Sequence, residues 1–400
     1  MCRQRSMINW FQNGDRNISF FHAKALARHR KNLMEGWLDD DGVWQVEENK
    51  MEEIAIGYFG DLFSTSNPVE FSDLLLVVQP KVTQAMNEWL VRPFVECEVN
   101  GALKKMYPLK ALGLNGMPPL FFQHFWSTNS SVVTKMVLDF LNFGISPPNF
   151  NETHITLVPK IKEPKKITDY RPISLCNVEY KIASKAITNR LKQILPSIIS
   201  DTQSAFVHRR LITDNVLMDF ETMHHISQNN GGKVGEMALK LDMNKAYDIV
   251  EWVWLEKVME KLGFADWMRD LITRRVATVT YSININGTPR GHIILSRGIR
   301  QGNPLSPYLF LLCAEGLSAL IQLAVDRGQM EGVKICRGGP RLSHLFFADD
   351  SLIFCKATLK ECDELQRLLV VYEKASNQQL NHAKTSLFSV VTPQEKFRRR

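Results

Sequence analysis

Two adjacent carboxylates, Asp349 and Asp350, lie between two apolar segments within residues 345–354. Apolar arms around a short polar centre predict a β-hairpin that carries both acids at its tip. Buried arms would fix the direction in which that tip points. Two ionised carboxylates side by side repel each other, and a bound divalent cation relieves the repulsion. Because Asp is also common in turns, the pair alone is more typical of an ordinary polar turn.

A third acid, Asp242, follows a second predicted strand, in which Met237, Leu239 and Leu241 alternate with other residues. A lone Asp at a strand end is more often a cap than a ligand. If this strand neighbours the hairpin, however, three carboxylates meet at one edge of a sheet. Such an oxygen-rich site suits two Mg²⁺ ions roughly 3.5–4 Å apart, the arrangement for in-line phosphoryl transfer.

Two further segments carry groups that suit a phosphorylated ligand. Lys160 follows a predicted strand at residues 155–158, and Arg171 lies shortly after it. A Lys point charge and a bidentate Arg fork at the ends of neighbouring strands could clasp a triphosphate. In residues 297–304, the glycines would allow the backbone close to a bulky ligand such as a base or a template.

The composition bounds the class of protein. The 400 residues predict two or three lobes, and 44% hydrophobic with 23% charged residues indicates a globular chain. The net charge of +7 favours a polyanionic partner such as nucleic acid. Seven scattered cysteines without a CxxC pair predict a reduced, intracellular protein with no disulfide framework or zinc site.

The sequence favours a location in the nucleus or cytoplasm, without a membrane anchor. The basic N-terminus lacks the apolar segment of a signal peptide. The apolar run at residues 308–325 contains Glu315, Gly316, Ser318 and Gln322, so we interpret it as a buried core helix.

We expect three segments along the chain. Residues 1–95 form a helical extension or linker, in which basic and aromatic residues near the start could follow a phosphate backbone or form a solvated face. Within it, residues 39–41 are three successive acids, and the Asp-Gly ending favours a plain hairpin turn over a metal site. Residues 96–236 form the next segment, and residues 237–400 contain the carboxylates.

Six motifs follow one another along the chain: residues 155–160 (ITLVPK), 169–177 (DYRPISLCN), 203–207 (QSAFV), 241–248 (LDMNKAYD), 300–307 (RQGNPLSP) and 347–350 (FADD). Taken in this order, they resemble the reverse transcriptase of plant LINE-type (non-LTR) retrotransposons across nearly the whole chain. The combination is specific, whereas an Asp-Asp pair alone is not.

The resemblance implies an α+β, right-hand polymerase with fingers at about residues 96–236 and an antiparallel palm sheet at 237–400, the reverse transcriptase domain covering roughly 150–400. It also implies two Mg²⁺ ions (Mn²⁺ is possible), an RNA template, a DNA primer and dNTPs. The implied metal ligands are Asp242, the Met243 carbonyl, Asp349 and Asp350, and the implied general acid is Lys384. The implied dNTP contacts are Lys160, Arg171, Gln301 and Tyr247, of which Tyr247 would be a steric gate against a ribose 2′-OH. The implied template contacts are Arg300, Gln301 and Gly302.

Several positions depart from the family pattern. Leu112, Leu114 and Asn115 stand where Pro, Pro and Asp are usual, Asn303 replaces an Asp, and Ile249 replaces an Arg. We also expect the thumb to be largely missing and an endonuclease domain to be absent, so both would have to come from elsewhere and synthesis would be weakly processive.

Two other functions remain open. One is a non-catalytic retroelement remnant that only binds nucleic acid. The other is an RNA-copying RNA polymerase, which Tyr247 disfavours because its bulk would crowd the ribonucleotide sugar.

Overall fold

A computed structural model describes residues 23, 26–27, 30, 32–228, 234–336, 338–381 and 383–389. The aromatic stretch before residue 23 and most of the basic run at 28–31 lie outside the described residues, so the phosphate contact expected there stays a prediction. The described chain is a mixed α+β protein.

Twelve α-helices are formed by the described residues: α1 Glu48–Leu62, α2 Ser72–Leu75, α3 Gln84–Leu90, α4 Glu96–Lys104, α5 Pro119–His124, α6 Trp126–Leu138, α7 Val178–Ile198, α8 Ile212–Gln228, α9 Trp252–Leu262, α10 Asp266–Ala277, α11 Ser306–Asp326 and α12 Leu359–Ser376. A π-helical turn at Asp139–Phe143 continues α6, and Ile167–Asp169 is a 3-10 turn.

The strands in the same part of the chain are β1 Trp37–Leu38, β2 Trp44–Gln45, β3 Glu152–Pro159, β4 Tyr170–Cys176, β5 Glu236–Leu241, β6 Met243–Asn244, β7 Thr280–Ile285, β8 Thr288–Ile294, β9 His344–Phe347, β10 Asp350–Lys356, β11 Gln379–Leu380 and β12 Ser386–Ser389. The short β1–β2 hairpin closes through Asp39, whose carboxylate accepts hydrogen bonds from Val43 N (2.8 Å) and Gln45 Nε2 (2.7 Å). Residues 39–41 thus form the plain turn that the sequence favours.

The chain groups into two compact units, each built from three pieces. The first unit contains residues 1–62, 95–183 and 279–295, and the second contains residues 63–94, 184–278 and 296–400. Each unit combines pieces of the three segments 1–95, 96–236 and 237–400 expected from the sequence, and the bounds of those segments stay a prediction. Residues 279–295 in particular, expected with the carboxylates, belong to the first unit.

The first unit is built on a four-stranded sheet in the order β4-β3-β7-β8. Strand β3 pairs antiparallel with β4 and parallel with β7. Its residues alternate between buried and more exposed, as expected for a strand with one face against a core. Asn286 and Gly287 join β7 to β8 with φ angles of 50° and 98°, the positive values that a tight hairpin turn requires at both central residues.

The second unit is built on an antiparallel sheet in the order β12-β5-β10-β9. A separate two-stranded ladder pairs β6 with β11. Helix α11 forms much of the core and is the one described helix that is long and apolar enough to cross a membrane. Because 78% of that apolar window is buried within the protein, α11 has the burial that we expected of a core helix.

Candidate functional site

The predicted hairpin forms, and its two acids lie at the tip. Strands β9 and β10 pair antiparallel with Asp350 opposite Phe347, and Ala348 and Asp349 make the turn. Both carboxylate residues are exposed. The apolar arms are buried, which fixes the register of the hairpin and hence the end of the sheet at which the acids lie.

Asp242 comes to the same end of the sheet from the neighbouring strand. Leu241, the last residue of β5, pairs with Ser351. Asp242 directly follows β5, and Asp350 directly precedes Ser351 on β10, so both lie one position beyond this antiparallel pair. Three carboxylates can meet at one edge only if the two strands are neighbours, and the structure confirms that β5 and β10 are neighbours.

The three acids offer the hard oxygen donors that Mg²⁺ and Mn²⁺ prefer. Within the described residues, however, no three His, Cys, Asp or Glu side chains are arranged closely enough to hold a metal ion. The donor chemistry therefore fits a divalent cation, but the carboxylates do not form a preformed cage and would have to draw together around one. Met243, whose carbonyl is the fourth expected ligand, is buried and pairs with Leu380 in the β6–β11 ladder.

Lys384 lies beside the first of these acids. Its Nζ is 3.8 Å from Asp242 Oδ2, and the exposed fractions of the two side chains are 67% and 30%. The backbone holds the two segments together, because Asn381 N donates to Asp242 O at 2.8 Å and Lys384 N donates to Asn381 O at 3.0 Å. The ammonium thus partly neutralises one carboxylate of the site.

Tyr247 is held by a ring stack and by its own backbone. Its ring lies against that of Phe310 on α11, with centroids 5.1 Å apart and planes 19° from parallel, and its carbonyl accepts from Ile299 N at 2.8 Å. Burial, with a smaller contribution from the charge of Asp349, raises the pKa of Tyr247 to about 12. The phenol therefore stays neutral at ordinary pH.

The glycine-containing loop at residues 297–304 is anchored through Gln301. Its Nε2 donates to both carboxylate oxygens of Asp248, at 3.1 and 3.2 Å. Gly302 has a φ of 99°, which favours glycine at this position. Asn303 Oδ1 accepts from Leu305 N at 3.1 Å, a bond that needs only an acceptor, so Asn serves here as well as the usual Asp.

Arg300 does not have the exposure expected of a template contact. It is 4% exposed, and its Nη2 donates to the carbonyl of Arg275 at 2.9 Å. The guanidinium is thus held in the protein interior, and a template contact by Arg300 stays a prediction. Gln301 is half-buried and Gly302 is exposed.

Lys160 and Arg171 belong to the first unit and lie on its β3–β4 pair, as the neighbouring-strand prediction requires. Val158 pairs with Arg171, and Lys160 N continues the ladder by donating to Asp169 O at 2.8 Å. Lys160 and Arg171 are both exposed, and Lys160 Nζ donates to Thr168 O at 2.9 Å.

The structure shows the contacts and the burial at the remaining positions that depart from the family pattern. Asn115 Nδ2 donates to both carboxylate oxygens of Glu179 (3.1 and 3.2 Å), which an ionised Asp could not do. Leu112 and Leu114 flank Gly113, where a Cβ would come within 2.5 Å of the Asn177 backbone. Ile249 is buried, where an Arg would need partners for its charge.

Three supporting residues received no role from the sequence. Phe310 underlies Tyr247, Asp248 holds Gln301, and Gln203 accepts a hydrogen bond from Ala348 N in the acidic hairpin. Each was visible as part of a motif or of an apolar run. Their roles depend on contacts across 63, 53 and 145 residues of chain, which periodicity does not reveal.

The family model for "Reverse transcriptase (RNA-dependent DNA polymerase)" matches residues 161–398, more than half of the chain. The chain therefore belongs to the reverse transcriptase family. Of the candidate site residues, Lys160 alone lies outside the match, by one position.

The relatives come from mobile elements and from a plant organelle. Over 384 residues the chain is 27% identical to the "Transposon TX1 uncharacterized 149 kDa protein" of Xenopus laevis, covering 96% of this chain and 29% of that protein. It is 23% identical over 267 residues to the "Retrovirus-related Pol polyprotein from type-1 retrotransposable element R2" of Popillia japonica, covering 66% and 35%. An uncharacterized mitochondrial protein of Arabidopsis thaliana is 52% identical over 67 residues, covering 17% and 55%. The chain spans less than two thirds of each of these relatives.

Proposed function

We propose that the chain is the RNA-directed DNA polymerase domain of a LINE-type (non-LTR) retroelement, of plant origin, that adds a deoxynucleotide to a DNA primer on an RNA template. The observation that carries the proposal is the position of Asp242 beside the Asp349–Asp350 tip on neighbouring antiparallel strands. In this interpretation the sheet β12-β5-β10-β9 is the polymerase palm and the β3–β4 pair belongs to the fingers.

The reaction joins the primer 3′-oxygen to the α-phosphorus of a dNTP and breaks the bond to pyrophosphate. Two Mg²⁺ ions, for which Mn²⁺ can substitute, would activate the 3′-hydroxyl and neutralise the departing pyrophosphate. Asp242, Asp349 and Asp350 would hold these ions, together with the carbonyl of Met243. The acids need not be preorganised, because neighbouring carboxylates that repel one another gain from closing on a cation.

Other side chains would bind and orient the nucleotide and the template. Lys160 and Arg171 would hold the triphosphate, one as a point charge and the other as a fork. Tyr247, kept in place by Phe310, would exclude a ribose 2′-OH. Lys384 would give its proton to the leaving pyrophosphate. Gln301 and Gly302 would contact the template or the incoming base. We propose the nucleus or the cytoplasm as the location of this reaction, since the basic start of the chain lacks the apolar segment of a signal peptide.

A primer-extension assay tests the proposal. Purified chain is incubated with Mg²⁺, an RNA template, an annealed DNA primer and dNTPs. We expect extension that EDTA stops and that Asp349→Ala reduces by at least about a hundredfold, because a metal ligand is lost. Asp41→Asn, in the β1–β2 turn, is the matched control and should extend as the unaltered chain does.

The second candidate, a remnant that binds nucleic acid without catalysis, is favoured by one observation, the open arrangement of the carboxylates. It predicts no extension by the unaltered chain, together with RNA binding that weakens steeply as salt is raised. That pair of results would refute the polymerase proposal.

A further inference from the structure

Gln203 is fixed beside the acidic hairpin by its neighbours in the backbone. Phe346 N donates to Thr202 O at 2.8 Å, and Ser204 N donates to Phe346 O at 3.1 Å. These bonds make a parallel bridge between Gln203 and Phe346 on β9. The residue itself is 2% exposed. Its side chain therefore has little freedom and lies against the hairpin rather than in solvent.

The side chain of Gln203 acts through its carbonyl oxygen. Oε1 accepts from Ala348 N at 3.1 Å and from Ala205 N at 2.9 Å. Both neighbours are N–H donors, so only the oxygen of the carboxamide can face them. Nε2 is buried and has no hydrogen-bond partner among the described residues. The acceptor is used twice and the donor not at all.

The hydrogen bond reaches the one hairpin residue with an unusual backbone. Ala348 has a φ of 56° and is buried, and an L-residue with a side chain rarely adopts this left-handed conformation. Asp349 is the next residue. A rotation at Ala348 would change the direction of the Asp349 carboxylate, so whatever holds Ala348 also aims the acid.

We propose that Gln203 is a positioning residue: its Oε1 holds Ala348 in the left-handed conformation and so directs Asp349 toward the metal ions. The inference rests on the proposed polymerase function for its catalytic consequence, but not for its structural one. Gln203 touches neither substrate nor metal in this scheme and acts only through the turn.

The first test is Gln203→Met, which keeps the length of the side chain and removes the acceptor. We expect kcat for primer extension to fall about ten- to a hundredfold, the usual effect of losing a residue that orients a metal ligand. The KM for dNTP and the affinity for RNA should change less than about twofold, because triphosphate and template contacts are untouched. Unchanged kcat in this variant would overturn the inference.

Gln123→Met is the matched control for simple destabilisation. Gln123 Nε2 donates to the carbonyls of Leu103 and Met106, at 3.0 and 2.9 Å, within the first unit. This variant should lower thermal stability and leave kcat unchanged. If kcat falls equally in both variants, Gln203 is a structural residue and the inference is wrong.

Rescue by glycine tests the route of the effect. Glycine adopts a positive φ without a steric cost, so Ala348→Gly should need Gln203 less. We expect Gln203→Met to lower kcat by a clearly smaller factor in the Ala348→Gly background than in the unaltered chain. An equal factor in both backgrounds would show that Gln203 does not act through Ala348.

Amide hydrogen exchange separates this inference from the proposed function. If the unaltered chain does not extend a primer, the polymerase proposal fails, and exchange in the peptide covering residues 344–352 still reports on the turn. Gln203→Met should speed exchange at Ala348 about tenfold or more, whereas Gln123→Met should not. Unchanged protection at Ala348 would refute the inference whatever the polymerase assay shows.

Discussion

The Lys384 ammonium lies 3.8 Å from the Asp242 carboxylate, so the expected proton donor pairs with an expected metal ligand. Exposed ion pairs of this kind contribute only about 0–1 kcal/mol. A divalent cation at Asp242 would therefore displace the ammonium readily. Lys384 would then be free to turn toward the pyrophosphate. In this exchange, the metal ion replaces the ammonium at Asp242, and the proton donor is released in the same step.

Lys384→Gln should separate these two effects. Mn²⁺ should bind up to about fivefold more tightly, because Asp242 loses a competing cation. The extension rate should fall at least about tenfold, because the leaving group loses its acid. Paramagnetic resonance titration of Mn²⁺ and single-turnover extension measure the two quantities.

Lys374→Gln is the matched control, since Lys374 forms an exposed ion pair with Glu70 at 3.2 Å. It should change neither quantity. Weaker Mn²⁺ binding by Lys384→Gln would contradict the idea that the metal ion displaces the Lys384 ammonium from Asp242.

The metal ions themselves should depend on the tip of the hairpin. Asp350→Asn keeps the size of the side chain and removes its charge, so Mn²⁺ affinity should fall about ten- to a hundredfold. Mn²⁺ titration checks this without any need for polymerase activity. Asp41→Asn should bind as the unaltered chain does, because the three acids at residues 39–41 form a hydrogen-bonded turn. Equal losses in both variants would mean that binding is unspecific attraction to acidic surface.

Tyr247 should set the choice of sugar. Tyr247→Ala removes the ring that stacks on Phe310, and we expect discrimination against rNTPs to fall about tenfold or more, as for other steric pockets. Tyr247→Phe keeps the ring and should keep the discrimination. Competitive incorporation of dNTP and rNTP on the same primer measures both. If the unaltered chain prefers rNTPs, the RNA-polymerase alternative is correct instead.

Local patterns predicted much of this molecule, because they depend on neighbours in sequence. The hairpin around Asp349 and the plain turn after residues 39–41 both form where expected, and Gly42 in that turn has a φ of 78°. Each follows from side-chain alternation or from the need for a positive φ. The position of Asp242 needed one added assumption, that two strands are neighbours, and that assumption is correct.

Long-range packing decided what the sequence did not predict. The parallel pairing of β3 with β7 joins segments more than 100 residues apart, and the grouping of residues 279–295 with the first unit follows from it. Arg300 is buried and donates to the Arg275 carbonyl, which its place in a motif does not reveal. The sequence shows the type of a residue and its place in a motif, but its burial depends on which parts of the fold pack against it.

Gln301 should act on the nucleic acid or nucleotide through the geometry that Asp248 imposes. Gln301→Met breaks both hydrogen bonds to that carboxylate. We expect the KM for template–primer or dNTP to rise about five- to twentyfold, with a smaller change in kcat. The reason is that binding is lost equally in the ground state and the transition state. Gln322→Met is matched to it, since Gln322 Nε2 donates to Asp326 Oδ1 at 2.8 Å on an exposed helix face. A KM unchanged in Gln301→Met would remove Gln301 from the site.

The hairpin should loosen in acid because of a buried histidine in β9. His344 Nε2 shares hydrogen bonds with Thr202 Oγ1 and Ser318 Oγ, each at 2.8 Å, and Nδ1 with Ser343 Oγ at 2.9 Å. Burial lowers the pKa of His344 from 6.5 to about 4. The unfolded chain then takes up the proton first, so stability is present above pH 6.5 and is lost as pH falls toward 4.

That difference in pKa corresponds to about 3 kcal/mol in the free energy of unfolding. Urea unfolding between pH about 7 and about 4 should show it, and His344→Gln should remove about this much of the pH dependence because Gln does not titrate. His208→Gln, at an exposed position, should retain the full dependence. His344 lies two residues before Phe346, and the backbone bonds of Phe346 hold Thr202 and Ser204 beside the hairpin. Protonation of His344 should therefore also speed amide hydrogen exchange at Ala348 before the whole chain unfolds. Exchange that speeds up only in step with global unfolding would show that the histidine stabilises the second unit as a whole and not the hairpin in particular.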